Sequence, residues 1–184
     1  MSRKVLVAYA SKMGGTAGIA EAIGAELREH GHDVDVLDVT QVHTIEPYDA
    51  VVLGSAIYIR RWRREAVHFL RKNVNELRTR QVWLFHSGPV GPDKDQAQEM
   101  PHVVRRLARE IGAVPAMTFA GRLEPDNATG FLARRLATGK LAADSRDWFK
   151  IRAWADDISA AISATQRSSS QRPQADGPGG DFLG

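Results

Sequence analysis

Cysteine is missing from all 184 residues. Its absence excludes a disulfide framework, a thiol nucleophile and a thiolate metal site, and it fits a reducing cytoplasm, the expected location. Long apolar runs are missing too. Met1-Ser2-Arg3-Lys4 leads into a run of strand length, so neither a signal peptide nor a membrane-spanning helix is expected. The six histidines show no H-E-x-x-H or comparable spacing, and no metal site is expected. No G-x-S-x-G elbow is present, and Ser87 lies in a Pro/Gly loop without a base partner, which argues against a hydrolase. Neither a Walker A loop nor a G-x-G-x-x-G fingerprint occurs. Charge of one sign is also modest. A formal net charge of +3 permits an anionic ligand or a membrane surface, while the basic stripes come without a nucleic-acid recognition motif, so no nucleic-acid partner is expected.

What remains is the composition of one globular domain, 43% hydrophobic and 26% charged, long enough to bury a core unaided. Apolar runs at Lys4–Tyr9, Asp49–Ser55, Gln81–His86 and Val114–Ala120 read as strands, and Asp33–Val39 alternates at period two like a strand near an edge. Asp49–Ser55 is the most apolar and is expected at the centre. Helical spacing marks 16–30, 63–77, 96–111 and 148–164. Five strands alternating with helices imply a parallel sheet covered on both faces.

The stretch that organises this pattern is Ser11-Lys12-Met13-Gly14-Gly15-Thr16, between the first strand and the first helix. A buried strand that turns through glycines into a helix presents free N–H groups and the positive end of the helix dipole to a phosphate. Ser11 and Thr16 add hydroxyls at the two ends of the loop. The alternative is an ordinary turn with Thr16 as N-cap.

The loop resembles the phosphate loop of the flavodoxin family: a hydroxyl residue, two variable positions, Gly, one further residue, then Thr. The likeness covers about residues 3 to 165, with one departure, Met13, where most members carry Thr. It implies an α/β, doubly wound, five-stranded parallel sheet of order 2-1-3-4-5, and it implies FMN as cofactor. The expected FMN-binding domain is 1–165, followed by a disordered tail at 166–184 rich in Ser, Gln, Pro and Gly. Ligands of such sheets sit beyond the carboxyl ends of strands at the switch point. The resemblance therefore nominates Ser11, Lys12, Met13, Gly14, Gly15 and Thr16 for the phosphate. Ser55, Ala56, Ile57 and Tyr58 after the third strand would flank the flavin, and Ser87, Gly88, Pro89, Val90 and Gly91 after the fourth would line its other face and edge. Trp62 is a further aromatic candidate, whereas His86 reads as a satisfied histidine at a strand end.

Carriers of this family surround their flavin with carboxylates; this chain places Arg60, Arg61, Arg63 and Arg64 just after the expected flavin loop, at a helix start. Cations there oppose the helix dipole, and an anionic small molecule or redox partner would account for them. Phe131-Leu132-Ala133-Arg134-Arg135-Leu136 reads as a short basic amphipathic piece, packed on the domain or resting on a membrane surface beside a quinone pool. These features, with Asp147-Trp148, resemble the menaquinone-dependent protoporphyrinogen dehydrogenases within the family. That resemblance implies an FMN oxidoreductase acting on a tetrapyrrole and passing electrons to quinone, with contact to the inner face of the membrane. No catalytic residue is carried over. An electron-transfer protein without enzymatic activity and a flavin-free interaction domain are the alternatives; a receiver-type domain lacks its acidic cluster, since the third strand ends in Gly54-Ser55.

Overall fold

The computed structural model describes residues 2–12, 14–58, 60–88, 98–123 and 143–170. Five parallel strands form the sheet: β1 (Lys4–Ala10), β2 (Asp33–Asp38), β3 (Ala50–Tyr58), β5 (Gln81–Ser87) and β6 (Val114–Phe119). Their order is β2-β1-β3-β5-β6, which is the expected 2-1-3-4-5 sheet with one short strand inserted in the numbering. That insertion, β4 (Arg61–Trp62), folds back antiparallel on the end of β3. A small antiparallel pair, β7 (Arg122–Leu123) and β8 (Ala143–Asp144), lies apart from the main sheet. β2 stands at an edge and β3 at the centre, as the patterning of the two runs predicts.

The central strands alternate between two buried faces. Leu6, Ala8, Val51, Leu53, Val82 and Leu84 point to one side, where α2 (Arg64–Lys72), α3 (Val74–Leu77) and α4 (His102–Glu110) cover them. Val5, Val7, Val52, Trp83 and Phe85 point to the other, under α1 (Gly15–Glu29) and α5 (Trp148–Ser170). Burial on both faces explains why these strands read as continuous apolar runs. On the α1/α5 face Phe85, Phe119 and Trp154 meet edge to face, with centroids 5.5–6.0 Å apart. Helix α5 is tied to α1 by His30 Nε2 and Asp156, 2.7 Å apart, and to the start of β2 by His32 Nε2 and Ser159 Oγ at 2.9 Å.

Three helix boundaries differ from the periodicity. The expected 63–77 helix breaks at Asn73, whose side-chain Nδ2 donates to the Phe69 carbonyl at 2.9 Å, a local bond that competes with helix continuation. The expected 96–111 helix starts at His102 behind Pro101, because proline disfavours the helical conformation in the residue before it. The last helix, capped by Asp147 Oδ1 accepting from Lys150 N at 3.0 Å, runs on to Ser170. Composition assigns 166–170 to the tail, but no proline or glycine interrupts the chain before Pro173, and extending an existing helix takes little free energy. Residues 171–184 and the basic piece at 131–136 lie outside the described residues.

Candidate functional site

The strand register brings the expected loops to one place. Ala10, Ser55 and His86 stand level across β1, β3 and β5, so the segments leaving these strands emerge side by side. β1 lies where the strand order reverses, between β2 and β3, and such a reversal opens a crevice beyond the strand ends.

The β1–α1 loop carries the clearest signs of an anion site. Gly14 is the N-cap of α1 with φ +76°, a left-handed conformation that costs glycine little and a side-chain-bearing residue of order 1–2 kcal/mol. No side chain among the described residues caps the helix, and its first turn holds no acidic residue. Gly18 N, 3.0 Å from Gly14 O, is the first amide to close on the helix, so the amides of Gly15, Thr16 and Ala17 precede any intrahelical acceptor. Ser11 Oγ is buried and has no hydrogen-bond partner among the described residues. Lys12 is exposed beside it, and Met13 lies outside the described residues.

Thr16 does not act as an N-cap. It is the second residue of α1, buried, and its Oγ1 lies 2.6 Å from Ser87 Oγ at the end of β5. Two hydroxyls share one proton in that bond, so a second O–H remains for another acceptor. Together with the Ser11 hydroxyl, unpartnered among the described residues, and the helix amides, this makes a cluster of donors, which fits a phosphate.

The other predicted residues divide by what their polar atoms already do. Ser55 Oγ donates to the Ala56 carbonyl and accepts from Arg63 N, both at 3.0 Å, and so pins the β3–β4 hairpin. Ala56 is buried, Ile57 packs against the core, and Tyr58 ends β3, its side chain outside what is described. Gly88 N donates to the Phe119 carbonyl at 2.9 Å, prolonging the β5–β6 ladder. Its amide is therefore engaged and is not a free donor to a ligand. Pro89, Val90 and Gly91 lie outside the described residues.

The arginines do not form one cluster at a helix start. Arg60 occupies the β3–β4 turn at φ +58°, Arg61 is in β4, Arg63 is the N-cap of α2 and Arg64 its first residue. Arg60 pairs with Glu99 at 2.7 Å and Arg63 with Glu65 at 2.9 Å. Arg61 and Arg64 have no ion pair among the described residues. With Trp62, Val67, Arg71 and Val104 they line a groove of about 510 Å³ between α2 and α4.

His86 is buried to 1% exposure, and both ring nitrogens are partnered. The Trp62 indole can only donate, so His86 Nδ1 accepts at 3.4 Å; the proton then sits on Nε2, which donates to Thr118 Oγ1 at 2.9 Å. Thr118 Oγ1 also accepts from Gln98 N at 3.3 Å, which anchors the chain returning towards α4. The satisfied-histidine reading thus matches the geometry, and Trp62 is held in the core with its N–H engaged. Burial pushes the His86 pKa down from 6.5 to about 4, partly offset by a backbone hydrogen bond with Gln98. The folded state then resists a proton that the unfolded state takes up below pH 6.5. The contribution of His86 is therefore complete at neutral pH and is lost as pH falls from 6.5 to about 4, roughly 3 kcal/mol in all. Urea midpoints at pH 7, 5.5 and 4.5 should show His86→Gln with a flatter pH dependence than the native chain; parallel curves would remove this role.

A sequence model described as a flavodoxin domain matches residues 6–135. The chain belongs to the flavodoxin family. Among solved structures, flavodoxin 2 of Bacillus cereus superposes with a TM-score of 0.55 at 20% identity, covering 88% of this chain and 99% of that one. The rubredoxin oxygen:oxidoreductase of Desulfovibrio gigas gives 0.61 at 16% identity, and the Flv1 flavodiiron core of Synechocystis 0.63 at 14%. Each covers 89% of this chain, which in turn spans 37% of their length. At identities this low the superpositions show the flavodoxin fold alone.

The structure also forms groupings that sequence spacing conceals. Glu26, His30 and Asp156 gather within 4.8 Å; Asp156 is remote in sequence, and the hydrogen bond already made by His30 accounts for the group as a clasp between α1 and α5. The bond between Thr16 and Ser87 joins two nominated loops 71 residues apart. Among the described residues no helix is long and apolar enough to cross a membrane.

Proposed function

We propose that this chain binds FMN at the β1–α1 loop and works as an FMN-dependent oxidoreductase. The observation that carries the proposal is the donor-rich start of α1, with Gly14 left-handed and, among the described residues, no side chain capping the helix and no partner for the buried Ser11 hydroxyl. Ser11, the amides of Gly15, Thr16 and Ala17, and the spare hydroxyl proton of the Thr16–Ser87 pair would hold the phosphate. The ends of β3 and β5 would bracket the ring. Bound FMN would supply hydride or single-electron transfer; the protein binds it, orients it and keeps the strand ends rigid beneath it.

The substrate we propose is an anionic one, with protoporphyrinogen IX as the specific candidate and a quinone as acceptor at the inner face of the membrane. Arg61 and Arg64, unpaired among the described residues on a partly apolar groove, favour an anionic molecule with apolar body. The second reading is an electron-transfer protein, favoured by the near-complete coverage of a flavodoxin; the same arginines oppose docking on a basic redox partner.

An absorption spectrum of the purified protein, before and after FMN addition and desalting, tests the cofactor. A colourless protein that retains no FMN would favour a flavin-free interaction domain. Turnover of protoporphyrinogen with menadione then separates enzyme from carrier. The double variant Arg61→Gln/Arg64→Gln should retain FMN and raise KM for an anionic substrate about tenfold; an unchanged KM would assign both side chains to solvation.

A further inference from the structure

Gly18 sits inside α1, where glycine is among the least favourable residues. The space a side chain would need there is already taken. A Cβ at Gly18 would overlap Nη1 of Arg146 and would approach the ring of Trp148 at 4.0 Å. The guanidinium stacks on Trp148, whose ring centroid lies 4.4 Å from Cζ. The segment that carries it is anchored in turn. β8 pairs with β7, Ser145 N donates to the Gly121 carbonyl at 3.1 Å, and Asp147 caps α5.

This location has an electrostatic consequence. Gly18 closes the first turn of α1 on Gly14, so Arg146, lying against Gly18, stands beside the turn that opens on the β1–α1 loop. An anion seated on the loop would be attracted by both the helix and the guanidinium.

We infer that Arg146 supplies the counter-charge for the FMN phosphate and so makes the site select phosphorylated over unphosphorylated flavin, with Gly18 present to admit it. This inference rests on the FMN reading above and adds a residue from beyond β6 to a loop whose own cation, Lys12, is exposed. Arg146 is a positioning and specificity residue and takes no part in electron transfer.

Dissociation constants for FMN and for riboflavin, measured by flavin fluorescence on the full chain, separate the possibilities. Arg146→Gln should weaken FMN about tenfold and leave riboflavin within twofold. Gly18→Ala should do the same by displacing the guanidinium, and Arg146→Lys should recover part of the FMN affinity. Equal losses for both flavins would make Arg146 a merely structural residue, and unchanged FMN binding in Arg146→Gln would remove it from the site; either result overturns the inference. A native chain that binds neither flavin would overturn the FMN reading itself, and this inference with it.

Discussion

Gly54→Val is expected to destabilise the domain by about 3 kcal/mol, lowering a urea midpoint by roughly 1.5 M. Gly54 lies in the central strand, directly beside Phe85 in register. The Phe85 ring lies across it, so that even a Cβ at position 54 would overlap the tip of the ring. A flexible side chain could swing aside. Phe85 cannot do so cheaply, because Phe119 and Trp154 fix its edges and no solvent-facing rotamer is open to a fully buried ring. The strain must therefore pass into the backbone of β3 or β5, which the sheet resists. The same change made in a Phe85→Leu background should cost markedly less, giving a coupling energy above 1 kcal/mol in a double-mutant cycle. Additive effects of the two changes would show that Gly54 is present for some other reason.

The second large effect concerns the phosphate loop. Gly14→Val should weaken FMN binding about 100-fold while costing only about 1–2 kcal/mol of stability. No atom of the described residues lies within 4 Å of a Cβ built at Gly14, so bulk is not the obstacle. The obstacle is φ +76°, a conformation closed to a β-branched residue. The loop would relax to an ordinary turn, and its amides would no longer converge on one anion. Gly14→Asn provides the control, since asparagine visits the left-handed region without large strain; its FMN affinity should stay within a few-fold of the native value. If asparagine and valine weaken binding equally, the backbone conformation is not what the site requires. Ser11→Ala belongs beside these. An unpartnered buried hydroxyl contributes nothing to the stability of the free protein, so the change should leave the unfolding midpoint level or raised while it weakens FMN. A stability loss instead would mean that Ser11 supports the fold.

Both effects follow from the same architecture. The sheet is rigid because its central strands are buried on both faces, and the loops at its carboxyl edge are free to hold strained or unpaired groups. Gly54 and Phe85 belong to the first category, Gly14 and Ser11 to the second. Substitutions in the sheet should therefore be read in denaturant midpoints, and substitutions in the loop in ligand affinity.

The division between what was legible in the chain and what was not follows the range of the interactions. The five strands, the central place of β3 and the strand–glycine–helix turn were readable because each is encoded within a few neighbouring residues: apolar runs for doubly buried strands, a 3.6-residue period for the helices, two glycines where the backbone must turn; the strand order came with the family resemblance. Pro101 and Asn73 were also local signals, though periodicity alone overran them. Tertiary structure decided the rest. Only the fold brings Thr16 to Ser87, makes Gly88 N part of a ladder, separates four arginines into two paired and two unpaired among the described residues, and lays Arg146 against Gly18. These contacts join residues tens of positions apart, and nothing in local propensity or periodicity specifies a partner at that distance. They exist because the sheet register, set by burial on two faces, carries remote segments to the same edge.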